Sequence, residues 1–269
     1  MIVIAEKINA TRKGVARAIQ ERDEAAIVDL VKTQDEAGAD VIDVNAGTGR
    51  GDTATSLDDL RWLIEIAMKN TAKPLAVDSE QPELIDGGLA AISGRAAWIN
   101  SISAESRRLE SVLPLAKQYG APVVALCMSD DGIPRDVAGR MKAAEAIYRR
   151  AQEAGVDPAK LYFDPLVMPV AADPMAGTMA IESIRAIKTA FPEVKTVMGL
   201  SNVSFGLPLR ATLNTTFLIL SLGAGLDAAI LDPCNDNLMM GLYAAEALLG
   251  KDTYCRRFIG AHRKRTQKG

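Results

Sequence analysis

The chain has 269 residues, a formal net charge of −3, 48% hydrophobic residues and 24% charged ones. That balance is ordinary for a globular protein and lacks the basic excess of a nucleic-acid binder. A chain of this length buries about three quarters of its unfolded surface, so it needs no disulfide or metal to hold it together.

The three cysteines, Cys127, Cys234 and Cys255, are scattered, and His262 is the only histidine. A zinc site has no local support, and neither has nucleophilic catalysis through a Ser-His or Cys-His pair. No bound metal is therefore expected. Scattered free thiols fit a reducing cytoplasm. Glu6 and Lys7 interrupt the first apolar run, unlike a secretory signal. The apolar stretch 217–231 is broken by Gly223, Gly225 and Asp227 and is too short to span a bilayer. The expectation is a cytoplasmic protein with no nucleic-acid or membrane partner.

Strand candidates appear in order at residues 2–5, 41–44, 74–77, 97–100, 122–127, 161–163, 196–199 and 228–231. They are rich in Val, Ile and Leu without polar alternation, as in parallel strands covered on both faces. Amphipathic helical patterns fill the intervals, at 24–36, 57–68, 83–92, 107–119, 140–154, 181–191, 213–222 and 237–249. Gly38, Gly120, Gly155 and Gly250 follow helical runs as left-handed caps would. Eight βα units in this length give about 34 residues each, the size of one strand-loop-helix repeat. An open dinucleotide-binding sheet carries a glycine-rich first turn. Here that turn is Glu6-Lys7-Ile8-Asn9-Ala10, and the first glycine is Gly14. The expected fold is therefore an α/β protein, a closed (β/α)8 TIM barrel. One domain spans 1–269, with residues from about 260 onward forming a solvated, frayed basic tail around His262-Arg263-Lys264-Arg265.

In such a barrel the site lies at the C-terminal ends of the strands. The residues there are Glu6 and Asn9, Asp43 and Asn45, Asp78, Asn100 and Ser101, Asp164, Ser201 and Asn202, and Asp232 and Asn235. Carboxylates accept hydrogen bonds, and carboxamides both accept and donate. Together they suit a neutral, nitrogen-rich heterocycle with N–H donors beside a carbonyl. They suit a phosphate poorly, since anions need cations or backbone N–H groups. The obvious cation nearby is Arg210. A hard cation such as Mg²⁺ is a minor alternative. Taken singly, Asp43, Asn45, Asp78, Asp232 and Asn235 read equally well as helix caps or turn formers. Asn100 and Asp164 follow runs that should be buried, where an idle polar group is costly. Gly199 permits close backbone approach or a tight turn. The methionines read as core filler.

The rim segments resemble the pterin-binding methyltransferase family. Those segments are Glu6-Lys7-Ile8-Asn9, the stretch 18–23, Asp43-Val44-Asn45, Val77-Asp78-Ser79, Ile99-Asn100-Ser101, Asp164-Pro165-Leu166, Gly199-Leu200-Ser201-Asn202-Val203-Ser204 and Asn214-Thr215-Thr216-Phe217-Leu218. The likeness runs nearly end to end. It extends to methyltetrahydrofolate:corrinoid/iron-sulfur protein methyltransferases and the tetrahydrofolate methyltransferase components of corrinoid-dependent demethylase systems. The resemblance implies a pterin-binding barrel that moves a methyl group between N5 of tetrahydrofolate and the cobalt of a corrinoid protein, in either direction. It implies that Asp78, Asn100 and Asp164 bind the pterin and that Asn202 sits near N5 as the catalytic residue. Gly199 and Ser201 would shape the loop beside it, and Arg210 would stand at the opening. Glu6, Asn9, Asp43 and Asn45 are secondary candidates. Tetrahydrofolate or 5-methyltetrahydrofolate is then the substrate, cobalamin is carried by a partner protein, and the chain is a homodimer.

The loop 205–208, Phe-Gly-Leu-Pro, is more apolar than the family pattern leads one to expect. Two alternatives remain. A dihydropteroate synthase-like enzyme would need a cationic seventh loop, where this chain has Ser201-Asn202-Val203. A non-catalytic folate-binding protein would bind without turnover.

Overall fold

The apolar runs become eight parallel strands: β1 Ile2–Asn9, β2 Val41–Asn45, β3 Leu75–Asp78, β4 Ala97–Ser103, β5 Val123–Leu126, β6 Leu161–Asp164, β7 Lys195–Thr196 and β8 Ala228–Leu231. The computed structural model describes residues 1–47 and 52–266. The strands pair in the order β7-β6-β5-β4-β3-β2-β1-β8. The two ends of this sheet meet. Asp227 N donates to Thr196 O at 3.2 Å and Ile230 N to Met198 O at 2.9 Å, so the sheet curls into a barrel. The seventh strand is shorter than the 196–199 run suggested. Its later residues hold the seam through those bonds instead of forming a full ladder.

Among the described residues ten helices surround the strands: α1 Lys13–Glu21, α2 Glu24–Glu36, α3 Thr53–Asn70, α4 Pro82–Ala91, α5 Ser106–Tyr119, α6 Val137–Ala154, α7 Ala176–Ala190, α8 Arg210–Ala224, α9 Asp236–Leu248 and α10 Arg256–Thr266. Eight answer the helical patterns of the sequence. α3 starts earlier than its apolar pattern because Asp52 accepts from Thr55 N at 2.8 Å and caps it there. The helical reading did not include α1. It buries only Val15, Ala18 and Ile19, too narrow a stripe to stand out.

The basic end of the chain is not a frayed tail over the described residues. It forms α10, and the anchors lie outside the basic run itself. Asp252 accepts from Arg257 N at 3.1 Å and Phe258 N at 3.0 Å. Those bonds hold the Asp252 carboxyl below its usual range. Arg257 Nη1 pairs with the buried Glu246 of α9 at 2.6 Å. The same glutamate also meets the amino group of Met1.

The barrel interior and the helix-facing shell are separate cores. Inside lie Ile4, Val41, Ala76, Trp98, Val124, Tyr162, Val197 and Ala228. Their strands hold them at one level: Ile4 pairs with Val41, Ala76 with Trp98, and Val124 with Tyr162. Trp98 and Tyr162 tilt against each other with ring centroids 4.4 Å apart and close the floor. Trp98→Ala should open a void there and lower stability by about 3–5 kcal/mol. A urea midpoint unchanged from the wild type would show that this layer is not the floor it is taken to be.

Candidate functional site

Side chains alternate faces along a strand, so residues two positions above an inward-facing layer also face inward. Counting up from the floor gives Glu6 above Ile4, Asp43 above Val41, Asp78 above Ala76, Asn100 above Trp98 and Asp164 above Tyr162. Five of the eight strands thus carry a polar residue aimed into the barrel toward its C-terminal end. Asp43, Asn100 and Asp164 are buried there. Burial of so many unlike-protein groups needs mutual satisfaction. Asn100 Nδ2 donates to Asp43 Oδ1 at 3.1 Å, and Asn45 Nδ2 donates to Asp78 Oδ2 at 2.9 Å.

Above this layer opens a cavity of about 460 Å³, lined among others by Glu6, Asn9, Asp43, Asp78, Asn100, Gly199, Ser201, Asn202, Arg210, Asp232 and Asn235. Most residues singled out from the sequence therefore share one cavity. Asn45 and Asp164 adjoin it through partners that line it, Asp78 and Gly199. Asn45 orients Asp78, and its Oδ1 accepts from Gly47 N at 2.7 Å. Asp164 accepts from Leu166 N at 2.7 Å and from Gly199 N at 3.3 Å, tying the sixth strand to the seventh loop. The capping reading holds for Asn235, which accepts from Leu238 N at 3.1 Å at the start of α9. Asp232 makes a turn with Cys234 N at 2.9 Å and pairs with Lys7 at 3.2 Å. Asp43 caps no helix; its strand register turns it inward. The cap of α4 is Gln81, which leaves Asp78 to the cavity.

The seventh loop is a short 3-10 helix, Leu200–Ser204. Arg210, at the start of α8, fastens it: Nη2 donates to Ser201 O at 2.8 Å and Nε to Ser204 Oγ at 3.1 Å. Ser201 Oγ in turn donates to both carboxylate oxygens of Glu6, at 3.2 Å each. Gly199 has an ordinary φ of −73°, so conformation does not demand glycine here. Space does. A Cβ at position 199 would stand 3.1 Å from Asn202 Nδ2. The glycine leaves Asn202 its place beside the cavity, where its side chain is exposed.

Sequence reasoning missed Thr11 and Arg12 in the wall and named Asn214 only within a family-like segment, without a site role. Arg12 approaches Glu6 at 3.1 Å, so Arg210 is not the lone cation at the rim. The signal for Arg12 was weak, because it lies past the strand end and only the turn Asn9 to Arg12 folds it back. Asn214 Oδ1 is buried and has no partner among the described residues. An acceptor left idle in a cavity wall is what a ligand donor would satisfy.

Burial dominates the electrostatics. It lifts the Asp164 carboxyl to about 6, although its two backbone donors pull the other way. Burial also raises Glu6, partly offset by Arg12. Asp43 is raised well above the usual range by burial and by the neighbouring Asp78 charge. Asp78 is raised as well, chiefly by burial, while its bonds from Asn45 and Asp43 hold it down. The charge of Asp78 beside it resists ionisation of Asp43. Among the described residues no three His, Cys, Asp or Glu side chains gather in a form that would hold a metal ion. No described helix is long and apolar enough to cross a membrane.

Known proteins match this architecture and this sequence. Among solved structures, dihydropteroate synthase of Yersinia pestis superposes with a TM-score of 0.68 at 17% identity, covering 93% of each chain. The synthase of Stenotrophomonas maltophilia gives 0.69 at 19% identity, covering 92% of each. These likenesses concern the fold alone. In sequence, the chain is 33% identical over 266 residues to the methylcorrinoid:tetrahydrofolate methyltransferase of Eubacterium limosum, spanning 98% of this chain and 97% of that one. It is 32% identical over 244 residues to the methionine synthase of Mycobacterium tuberculosis, 86% of this chain but only 20% of the longer protein. Residues 5–232 match the family described as pterin binding enzyme. The matched span runs from the first strand to the last, and the chain belongs to the pterin-binding enzyme family.

Proposed function

We infer that the chain is a methyltransferase acting between N5 of a tetrahydrofolate and the cobalt of a corrinoid protein. The observation that carries the reading is the inward polar layer, Asp43, Asp78, Asn100 and Asp164, lying beside an exposed carboxamide, Asn202. A pterin offers N–H donors on one edge beside a carbonyl. The carboxylates accept from the first and the Asn100 amide donates to the second. The near full-length relative from Eubacterium limosum, named for transfer between a methylcorrinoid and tetrahydrofolate, supports the same chemistry. A synthase handling pyrophosphate is not favoured, because the seventh loop presents Ser201 and Asn202 to the cavity in place of a cation.

The chemical difficulty is the leaving group. A methyl on a tertiary amine departs poorly, since it leaves a basic nitrogen anion. A donor that bonds N5 more strongly as charge develops lowers the barrier selectively. Asn202 fills that role through its Nδ2 hydrogens, and Gly199 gives the amide room. The partner's cobalt supplies the atom that receives or delivers the methyl. The chain needs no nucleophile of its own, consistent with a cavity wall without cysteine or histidine among the lining residues. Asp164, lifted to about 6, titrates close to neutrality. Transfer in either direction passes the same transition state, so these roles serve both.

Asn202→Ala should lower the methyl-transfer rate by roughly 30- to 1,000-fold, equivalent to about 2–4 kcal/mol. Folate affinity should change by less than about threefold, and equal losses in the two would remove Asn202 from the transition state. The Asp164 carboxylate accepts pterin N–H bonds only when ionised. Affinity for tetrahydrofolate should therefore fall as pH drops through about 6, by up to tenfold per unit. Asp164→Asn should bind more weakly at neutral pH and lose the part of the pH dependence centred there; fluorescence titration from pH 5 to 8 reads both.

The loop after Asn202 exposes Phe205 at 66% and Leu209 at 79%. Val170 N donates to Val203 O at 3.0 Å, which brings the sixth loop, with exposed Met168 and Met175, alongside. An apolar rim beside the reacting position suits a macromolecular partner. Phe205→Asp with Leu209→Asp should depress transfer with the corrinoid protein by about tenfold or more. Transfer to free cob(I)alamin should stay unchanged, and a like loss with both acceptors would assign the loop to the active site instead.

A further inference from the structure

A second cavity, of about 640 Å³, lies between α9 and α10, away from the barrel interior. It owes its existence to small residues. α10 presents Gly260 and Ala261 at the middle of its face, so that face stands back from α9. One turn before them come Arg256 and Arg257, and one turn after them Lys264 and Arg265. Across the gap, α9 supplies Met239, Met240 and Tyr243. The cavity therefore has an apolar floor with cations at both ends. Arg257 is committed to Glu246, and Arg265 Nη2 donates to Asn237 Oδ1 at 3.2 Å. Arg256 lies against the Tyr254 ring at 5.8 Å, and no carboxylate pairs with it or with Lys264 among the described residues. Two acids, Glu36 and Asp236, also border the cavity, against four cations.

The position of this cavity relative to the mouth gives it meaning. The loop after β8 separates the two: Asp232 and Asn235 line the mouth, while Pro233 and Asp236 line the second cavity. α10 runs antiparallel to α9. Arg257 meets Glu246 near the end of α9, and Arg265 meets Asn237 at its start. The Lys264 end of the cavity is thus the end beside the barrel mouth. Over this loop the Lys264 end of the second cavity faces the mouth, and Arg256 stands at the far end. These two residues are two helical turns apart, about 12 Å along the axis.

We propose that this cavity receives the poly-γ-glutamyl tail of the folate substrate, so that the preferred substrate is a polyglutamylated tetrahydrofolate. The proposal rests on the pterin reading of the mouth. Each γ-linked glutamyl unit carries one free carboxylate and a short methylene chain, with a repeat on the order of 6 Å from bond lengths. About two units span the distance from Lys264 to Arg256. Their methylenes lie over the methionines and Tyr243, and their carboxylates meet the cations. Because the contacts are charged and partly exposed, salt screens them.

The test compares tetrahydrofolate monoglutamate with the pentaglutamate by calorimetric titration, on the full chain at low and high salt. The pentaglutamate should bind roughly tenfold tighter at low salt, with the advantage shrinking at high salt. Arg256→Gln with Lys264→Gln should abolish the advantage and leave monoglutamate affinity unchanged. Arg257 and Arg265 are kept so that α10 stays attached, and circular dichroism checks that it does. Equal affinity of the two forms, or an advantage that survives the double substitution, overturns the proposal. A free tetra-γ-glutamate peptide, which has no pterin, separates this outcome from a failure at the mouth. Salt-sensitive binding of the peptide that the double variant loses supports the cavity even if monoglutamate does not bind, a result that would instead sink the pterin reading. No peptide binding alongside normal monoglutamate binding counts against the cavity alone.

Discussion

The two-residue repeat of a β-strand governs this molecule. Trp98 and Tyr162 fix one level of the barrel interior, and the next inward level is then obliged to hold whatever stands two positions later. In this chain that level carries Asp78, Asn100 and Asp164, with Asp43 beside them. A one-residue slip of any strand would turn its acid out toward the helix shell and an aliphatic residue into the mouth. The apolar floor and the polar site are thus a single constraint seen at two heights. The floor resists slippage because it is closely packed, and its resistance is what keeps the acids together.

Such a layer works against the folded state when nothing is bound. Asp164 and Asp43 hold protons far more tightly than free carboxylates, which measures how poorly their charges are solvated. Mutual bonds relieve only part of this: Asn100 serves Asp43, and Asn45 serves Asp78. Asn214 Oδ1 has no partner among the described residues. Groups held in this condition are already desolvated and oriented, so a ligand with matching donors does not have to displace a full hydration shell from each. The strain of the empty site and the affinity of the filled one have the same origin.

Much of this was legible in the sequence, for an identifiable reason. Parallel strands buried on both faces are runs of Val, Ile and Leu, and the first polar residue after such a run marks the approach to the barrel mouth. That rule located Glu6, Asp43, Asp78, Asn100 and Asp164 without any structure. It did not separate the residues that face inward from those that turn, because an Asp after a strand serves either purpose. Asn235 and Asp43 looked alike, yet one caps α9 and the other lies buried in the barrel. Register decides between them, and register is a property of paired strands. The anchoring of α10 was hidden for a related reason. Its basic residues suggest a solvated end, while the groups that fasten it, Asp252 and Glu246, lie outside that run and one of them on another helix. Arg12 escaped notice because the bond between Arg12 N and Asn9 O that returns it to the rim follows the strand's end.

The site divides its labour by depth. The acids sit low, buried and fixed by the ladder; in the proposed reaction they hold the ring in one orientation. Asn202 sits high and exposed, on a loop that owes its shape to Arg210 and its clearance to Gly199. A reaction in which both partners are small would favour burying that carboxamide too, because hydrogen bonds strengthen when water is excluded. In the proposed exchange with a metal centre on another macromolecule, a closed lid would shut out the partner. On that reading the partner itself excludes water at the moment of transfer. An apolar rim formed by Phe205, Leu209 and the neighbouring methionines is suited to that sealing, and it lies on the side of the barrel where Asn202 stands.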